Sequence, residues 1–349
     1  MNIASAWPLS GAVIFLFAGA AALLSAFLIL ALRPVLMRYA LARPNARSSH
    51  REPTPQGGGI AVIATTIAVV LVGAAVFEEL RSPALGFVFS ATVLIALVGA
   101  IDDIRPLPVA PRLLLQAAAV CLVLAALPDD LRLSHLVPWW LERLFLLFAG
   151  LWFVNLVNFM DGLDWMTVAE MIPVAAALIA IGMMRILPPY AVITAVALAG
   201  ALLGFAPSNR PVARLFLGDV GSLPIGLLMA WLLILLACSG HWVAALLLPL
   251  YYLADASITL ARRLLAGERI WEAHRRHFYQ VATARGFTVS GVIARVFVLN
   301  LLLAAMALII VWQQSPGLTA AALVFGSALV GGLLWVFERG RPTAQPKKA

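Results

Sequence analysis

Long apolar stretches alternate with short polar connections along almost the whole chain. Each stretch holds roughly 20 residues, which is enough for a helix to cross the hydrocarbon core of a membrane. The pattern predicts an all-α polytopic membrane protein, with a transmembrane domain at 1–337 and a short basic tail at 338–349. The eleven predicted spans are 11–32, 58–77, 84–101, 111–127, 141–160, 165–184, 189–206, 220–238, 242–261, 287–312 and 318–337.

The composition agrees with this class. Hydrophobic residues make up 63% of the chain and charged residues only 11%, whereas soluble domains carry about 25% charged residues. No basic residue precedes the first apolar stretch, because the first one in the chain is Arg33. A secretory signal peptide carries positive charge before its apolar part, so we expect residues 11–32 to remain as a span.

Basic residues concentrate in alternate connections between the spans. One set of connections, with the C-terminal tail, holds nineteen Lys and Arg residues and the other set holds four, while Arg295 lies inside a span. Cytoplasmic loops carry such an excess, so we expect the N-terminus in the periplasm and the C-terminus in the cytoplasm. The net charge of +8 is then mainly topological and does not indicate nucleic acid, although part of it could bind anionic head groups or phosphates.

Five carboxylates stand at span ends on the predicted cytoplasmic side. They belong to Asp102, Asp103, Asp161, Asp164 and Asp219. Mutual repulsion makes such a cluster costly unless a cation neutralises it, and oxygen ligands favour Mg²⁺ or Mn²⁺ over Zn²⁺. The alternative interpretation is that these residues only cap helix starts.

The central acidic stretch also carries two amides. Asn155, Asn158 and Asp161 recur every three residues, so they lie along one side of a helix end. Asn158 is nearest the acids and is the better candidate for a metal ligand. An asparagine pair can instead hydrogen bond between neighbouring helices.

Glycine turns and a basic segment complete the polar face. Gly57-Gly58-Gly59 and the pair Gly218/Gly221 precede spans, and helix starts of this kind can approach phosphate closely. The run His274-Arg275-Arg276-His277 forms a cationic patch suited to phosphate oxygens. A two-histidine metal site and a plain positive-inside flank are the alternatives for this run.

Two further acidic residues fall within predicted spans. Asp255 lies two helical turns before Arg262, and we expect a structural ion pair between them. Glu170 has no obvious partner in the sequence.

Five ordered motifs carry a resemblance to a known family. In chain order they are Arg47-Ser48-Ser49-His50 with Thr54-Pro55-Gln56-Gly57-Gly58-Gly59, then Asp102-Asp103, then Asn155-x-x-Asn158-x-x-Asp161-Gly162-Leu163-Asp164, then Phe216-Leu217-Gly218-Asp219-Val220-Gly221-Ser222, and the His274/His277 segment. Together they resemble the polyprenyl-phosphate N-acetylhexosamine-1-phosphate transferases. That family includes enzymes that start O-antigen and teichoic-acid synthesis and the peptidoglycan precursor translocase.

The resemblance implies a transferase of the bacterial inner membrane. It would move an N-acetylhexosamine 1-phosphate from a UDP-sugar to undecaprenyl phosphate, release UMP and initiate a lipid-linked glycan. Its active site would lie in the cytoplasmic segments 33–57, 102–112, 155–165, 207–222 and 262–286. The implied partners are the two substrates and membrane lipids, and a homodimer is left open.

The resemblance also implies a role for each candidate residue. Asp219 would be the main magnesium ligand, aided by Asn158. Asp102 and Asp103 match an acidic pair that orients or deprotonates the acceptor phosphate, and Asp161 and Asp164 would act on the nucleotide-sugar side. The implied substrate contacts are His50, Arg112, Asn155, Phe216 (beside the uracil), His274, Arg275, Arg276 and His277.

Two positions depart from the family pattern. Trp165 stands where the family often has glycine, and Phe278-Tyr279-Gln280 follows where a third histidine is common. These departures are similar to the branch that starts O-antigen chains with deoxy-N-acetyl sugars such as fucosamine or quinovosamine, with UDP-GlcNAc as the other candidate donor.

A transporter or flippase for a phosphorylated substrate is the rival class. Transporters place charged ligand sites near the bilayer midplane, on broken helices within repeated halves. The charged residues of this chain lie at span ends, and its sequence has no visible repeat. The pattern therefore favours the enzyme.

Overall fold

The computed structural model describes residues 7–42, 53–269 and 274–340, and these fold almost entirely into helices. His50, with the other residues of its motif at 47–49, lies outside the described residues. The helices are α1 (Gly11–Tyr39), α2 (Gly58–Val76), α3 (Pro83–Ile104), α4 (Val109–Ala125), α5 (Trp139–Met160), α6 (Met166–Met183), α7 (Pro189–Phe205), α8 (Asp219–Leu236), α9 (Trp242–Leu247), α10 (Leu250–Leu265), α11 (Phe278–Ala284), α12 (Val289–Gln313) and α13 (Pro316–Arg339).

The membrane class predicted from the sequence is confirmed. Among the described residues, eight helical segments are long and apolar enough to cross a membrane, and α4 and α7 are shorter apolar helices of 17 residues. Several of these helices begin at a side-chain cap, which satisfies one of the free N–H groups of the first turn. Ser10 caps α1, Ser82 caps α3, Thr288 caps α12 and Ser315 caps α13.

The predicted span at 242–261 is not one continuous helix. The chain leaves α8 through a π-helical turn, Ala237–His241, that contains two residues with non-helical backbone, Ser239 and Gly240. α9 then lasts for only six residues, and α10 starts after Pro249. Proline has no N–H to donate and clashes with the preceding turn, which accounts for the break.

Helix α8 lies at the centre of the bundle. Every residue from Val220 to Leu236 is buried, and α8 packs against α2, α3 and α5. The end of the bundle at which α3, α5 and α7 finish and α4, α6 and α8 begin is called the site end below.

Two small elements at the site end were not predicted. A short antiparallel hairpin pairs β1 (Leu41–Ala42) with β2 (Thr54–Pro55), and Gln56 forms a bridge with Phe216. The seven-residue helix α11 follows His277. Both elements bring loop segments against the helix ends that carry the acidic residues.

Glu170 has a partner that the sequence did not indicate. It is fully buried in α6, and its carboxylate accepts a hydrogen bond from the Asn300 side chain of α12. The partner is 130 residues away in the chain, so spacing along one helix could not reveal it.

Candidate active site

The acidic ends of α3, α5 and α8 meet at the site end. Asp103 contacts the first residues of α8, and Asn158 at the end of α5 contacts Asp219. The segment just before α2 joins them, because the Gln56 side chain donates to the Asp103 carbonyl oxygen over 3.0 Å. Four of the five motifs therefore converge here, and the fifth reaches the same place through α11.

Asp103 caps helix α8. Its Oδ1 accepts the Asp219 N–H at 2.9 Å and its Oδ2 accepts the Val220 N–H at 3.1 Å. A carboxylate at a helix N-terminus satisfies free donors and interacts favourably with the helix dipole. Both oxygens are thus engaged in holding the helix that carries Asp219.

The N–H groups of Gly57, Gly58 and Gly59 are not free to bind a phosphate, so the sequence interpretation of this turn was wrong. Gly57 and Gly58 both donate to the Phe216 carbonyl, and Gly59 donates to that of Leu217. The N–H groups that begin α8 are taken by Asp103. The glycines instead let two backbones touch, since a Cβ on Gly59 would lie 2.1 Å from the Gly221 Cα.

Asp219 and Asn158 form the centre of the site. The Asn158 Nδ2 donates to Asp219 Oδ1 at 2.8 Å and to the hydroxyl of Ser222 at 2.9 Å. Both residues keep part of their surface exposed, whereas Ser222 is buried. Asp102 and Asp103 also lie close enough to Asp219 to interact with it electrostatically.

Asp102 makes a different set of contacts. Its Oδ2 pairs with the Arg112 guanidinium at 2.9 Å, and its Oδ1 accepts the Leu107 N–H at 2.6 Å. The arginine retains 23% of its side-chain exposure. Arg112 therefore lies beside the acidic centre and shares its charge with Asp102. Its contact with a substrate phosphate stays a prediction.

The central acidic pair stabilises the loop between α5 and α6. Asp161 accepts a hydrogen bond from the Thr167 hydroxyl, and the buried Asp164 accepts the Ala213 N–H at 2.9 Å. Burial raises the pKa of Asp161 from 3.8 to about 7, and the nearby Asp103 and Asp164 charges act in the same direction. Burial and the neighbouring carboxylates therefore disfavour the charged form of Asp161.

Asn155 lies one turn deeper than Asn158. It is buried, and its Nδ2 donates to Gln116 Oε1 of α4 and to the Leu151 carbonyl, both at 2.8 Å. This geometry matches the interhelical alternative weighed from the sequence. A direct substrate contact by Asn155 stays a prediction.

Trp165 adopts a left-handed backbone conformation, with a φ of +64°. Glycine is favoured at such a position because a Cβ is strained at positive φ, which fits the glycine that the family pattern implies here. Two hydrogen bonds hold the tryptophan in place: its N–H donates to Asn209 Oδ1 at 2.7 Å, and its Nε1 donates to the Ala206 carbonyl at 2.6 Å. Trp165 therefore links the central loop to the 206–215 segment.

The expected ion pair between Asp255 and Arg262 does not form. Arg262 pairs with Glu338 of α13 at 2.9 Å, whereas Asp255 contacts His277 Nδ1 at 3.1 Å. Two turns of helix bring Asp255 and Arg262 to similar faces but leave them at different depths. Each then finds a partner from another segment.

The basic segment before α11 is folded against the site. The rings of His274 and His277 stand 4.9 Å apart, and His277 lies 6.4 Å from the Phe159 ring. Arg276 pairs with Glu268, which also pairs with Arg263 at 3.1 Å. The Arg263 and Arg276 charges hold the pKa of Glu268 below its usual value.

Arg275 and Phe216 occupy the rim of the site. Arg275 is exposed and lies close enough to Tyr279 to interact with it electrostatically. Phe216 is half-buried, and its backbone N–H donates to the Pro55 carbonyl at 2.9 Å. Its ring position beside a bound base stays a prediction.

Asp219 and Asn158 offer a carboxylate and an amide, which are ligand types that Mg²⁺ accepts, and their role as its ligands stays a prediction. Mg²⁺ usually takes one or two carboxylates and fills its other positions with water and substrate phosphate, and an asparagine can offer its amide oxygen. No group of three or more His, Cys, Asp or Glu side chains is arranged as a metal cage among the described residues. An ion bound here would depend on phosphate oxygens from a substrate.

Several hydrogen bonds at the site are made by residues to which the sequence analysis gave no role. Ser222, Thr167 and Gln56 each bond a predicted site residue. Ser222 and Gln56 stand inside recognisable motifs, so their motif position was an available signal. Thr167 carried no such signal.

Comparisons with known proteins identify the family. A family model described as Glycosyl transferase family 4 matches residues 85–237. The chain is 32% identical to the Phospho-N-acetylmuramoyl-pentapeptide-transferase of Lactiplantibacillus plantarum over 287 residues, which cover 72% of this chain and 86% of the relative.

The names of two further relatives describe related chemistry. The Decaprenyl-phosphate N-acetylglucosaminephosphotransferase of Mycobacterium leprae is 32% identical over 55% of this chain and 53% of its own length. The Probable undecaprenyl-phosphate N-acetylglucosaminyl 1-phosphate transferase of Bacillus subtilis is 26% identical over 76% of this chain and 77% of its own length.

Proposed function

The chain belongs to glycosyl transferase family 4, and we propose that it transfers an N-acetylhexosamine 1-phosphate from a UDP-sugar to undecaprenyl phosphate. UMP is released, and the lipid-linked sugar initiates an envelope glycan. The observation that carries the proposal is the meeting of Asp103, Asn158 and Asp219 at one end of a membrane bundle.

The reaction requires one bond to form and one to break. An oxygen of the lipid phosphate attacks the phosphorus attached to the sugar, and the bond from this phosphorus to the bridging oxygen of UMP breaks. The leaving UMP keeps the electron pair of that bond. Phosphoryl transfer asks mainly for positioning and charge neutralisation, so a direct attack without a covalent enzyme intermediate is sufficient.

The acidic residues divide this work. Asp219 and Asn158 would hold a Mg²⁺ ion (or Mn²⁺), which would supply charge neutralisation at the diphosphate. Asp103 fixes the start of α8 and hence Asp219, since both of its oxygens accept N–H groups of that helix. A phosphate monoester has a second pKa of about 6, so the acceptor needs little help from Asp102 or Asp103 to lose its proton.

The remaining residues contact or frame the substrates. Arg112, held by Asp102, faces the acceptor phosphate. His274, Arg275, Arg276 and His277 bind the diphosphate or the sugar, and His50 belongs to the same set. Arg276 must exchange its Glu268 partner for phosphate oxygens when the substrate arrives.

Trp165 supports the choice of sugar. Its indole is held against the segment 206–215, beside the loop that carries Asp161 and Asp164. This departure from the family pattern is similar to the branch that uses deoxy-N-acetyl sugars, so the proposed donor carries a sugar such as fucosamine or quinovosamine, with UDP-GlcNAc as the other candidate.

The protein spans the bacterial inner membrane with its site end in the cytoplasm. The excess of Lys and Arg in the segments at this end supports the orientation. Eleven crossings, as predicted from the apolar pattern, would leave the N-terminus in the periplasm and the C-terminal tail in the cytoplasm.

Product analysis tests the proposed function. Purified protein is incubated with undecaprenyl phosphate and, in turn, UDP-GlcNAc, UDP-FucNAc and UDP-QuiNAc, and the lipids are identified by mass spectrometry. We expect undecaprenyl diphosphate carrying a deoxy-N-acetyl sugar as the main product. Turnover of UDP-GlcNAc alone would refute the sugar assignment, and binding of UDP-sugars without any lipid product would favour a transporter.

A further inference from the structure

Asp255 in α10 is a fully buried carboxylate with an unusual number of donors. Its Oδ1 accepts the Phe278 N–H at 3.0 Å and contacts His277 Nδ1 at 3.1 Å. Its Oδ2 accepts the Tyr279 N–H at 3.2 Å. The hydroxyls of Tyr251 and Thr259 complete the set at 3.2 and 3.4 Å.

This arrangement determines which nitrogen of His277 carries the proton. A carboxylate can only accept hydrogen bonds, so a ring nitrogen facing it must be protonated. Neutral histidine has one N–H, and the partner of that nitrogen fixes the tautomer. His277 is therefore an Nδ1–H tautomer when neutral, and its Nε2 is left as an acceptor that bonds no described residue.

The same carboxylate sets the position of the ring. By accepting the Phe278 and Tyr279 N–H groups, Asp255 anchors the start of α11, and His277 is the residue just before that helix. The ring then lies between His274, at 4.9 Å, and Tyr279, at 5.7 Å between centroids.

Tyr279 connects this anchor to the central acidic loop. Its hydroxyl donates to the Phe159 carbonyl at 3.0 Å. Gly162 permits the contact, because a Cβ there would stand 2.1 Å from the Tyr279 oxygen. These hydrogen bonds, between Asp255 and Tyr279 and between Tyr279 and Phe159, thus join the histidine segment to the loop that begins at Asp161.

We infer that Asp255 is a positioning residue for the transfer reaction. It holds His277 as the Nδ1–H tautomer and fixes the histidine segment against the loop that follows α5. The inference rests on the proposed function, in which His277 binds the diphosphate or the sugar. Asp255 itself touches no substrate and acts only through His277 and α11.

A purely structural cap is the competing explanation, and a double-mutant cycle separates the two. Asp255→Asn, His277→Gln and the double variant are assayed for UMP release, with kcat and KM measured for each. If Asp255 acts through His277, Asp255→Asn alone lowers kcat by about 100-fold, as expected for a misplaced group. Adding Asp255→Asn to the His277→Gln enzyme then changes kcat by less than about 3-fold. Independent effects in the double variant would overturn the inference.

Matched controls remove other hydrogen bonds to the same carboxylate. Tyr251→Phe and Thr259→Val each delete one hydroxyl contact with Asp255 and leave His277 in place. We expect both to lower the melting temperature while kcat stays within about 5-fold of the wild-type value. If kcat falls in proportion to the melting temperature in every single variant, the result supports the structural cap and overturns the inference.

A measurement on the wild-type protein covers the case in which Asp255→Asn does not fold. The histidines are labelled with ¹⁵N and the protein is studied by NMR in nanodiscs, with the His277 signal identified by its loss in His277→Gln. An Nδ1–H tautomer is expected, and an Nε2–H tautomer would overturn the inference. Absence of UMP release by the wild-type enzyme would instead refute the proposed function, and the positioning role with it.

Discussion

At the scale of single residues, Asp103 and Asp219 are neighbours with different tasks. Asp103 places both oxygens on backbone N–H groups, so its main effect is to hold a helix. Asp219 shares a hydrogen bond with Asn158 and keeps a partly exposed carboxylate for an ion. Two acidic residues that look alike in the sequence therefore contribute to stability and to chemistry in different proportions.

Replacing each carboxylate by its amide separates these contributions. Asp219→Asn is expected to lower turnover by at least about 100-fold without lowering the melting temperature. Asp103→Asn places an NH₂ group against an N–H donor of α8, which costs about 0.5–2 kcal/mol of stability and lowers turnover as well. Thermal unfolding in detergent and UMP release measure the two effects. A lower melting temperature for Asp219→Asn than for Asp103→Asn would contradict the assignment.

The sequence motifs place Asn158 and Asp219 at span ends, and the structure brings the two side chains into contact. Their role as metal ligands stays a prediction. Asp255 was misassigned because its partner His277 lies 22 residues away, just before the separate helix α11. Spacing along one helix indicated Arg262, but the position of α11 decided the pairing.

At the scale of elements, the contact between α2 and α8 sets the geometry of the site. Gly59 and Gly221 let the two helix starts touch backbone to backbone. The glycine pattern was recognisable in the sequence, but its role was not. Glycine allows a ligand and another helix to approach the backbone equally well. The break before α10 was also hidden, since the apolar pattern continues through Pro249.

Adding one methyl group at this contact tests its importance. Gly59→Ala places a Cβ 2.1 Å from the Gly221 Cα, and such overpacking costs about 1–3 kcal/mol. We expect a lower melting temperature and reduced turnover, because α8 and Asp219 must shift. Gly86→Ala in α3 is the control, since a Cβ there has nothing within 4 Å. Equal melting temperatures for the two variants would show that the helices do not depend on the contact.

At the scale of the whole molecule, the site end and the opposite end differ in charge and chemistry. The site end gathers the acidic centre and most Lys and Arg residues, whereas the opposite end carries a buried ion pair between Arg132 and Glu142 at 3.2 Å. The helical class and the site's place at one end followed from the apolar pattern. The hairpin, α11 and the pairing of loop side chains depended on tertiary contacts that no local pattern reports.

Accessible cysteines test the orientation of the bundle. Leu136→Cys, at a position 95% exposed at the opposite end, and Ala266→Cys, in the exposed turn after α10, are made in a background with Cys121 and Cys238 replaced by alanine. A membrane-impermeant thiol reagent added to spheroplasts should label the first variant, and the second only after permeabilisation. The reverse pattern would place the acidic site outside the cytoplasm.

Magnesium-dependent release of UMP tests the central claim most directly. Purified wild-type protein is mixed with undecaprenyl phosphate and a panel of UDP-N-acetyl sugars, with Mg²⁺ or with EDTA, and UMP is measured over time. We predict UMP release that needs both the lipid phosphate and the metal, that stops in EDTA and that is lost in Asp219→Asn. UMP release that persists in EDTA, or at the wild-type rate in Asp219→Asn, would contradict the proposed role of the Asp219–Asn158 centre.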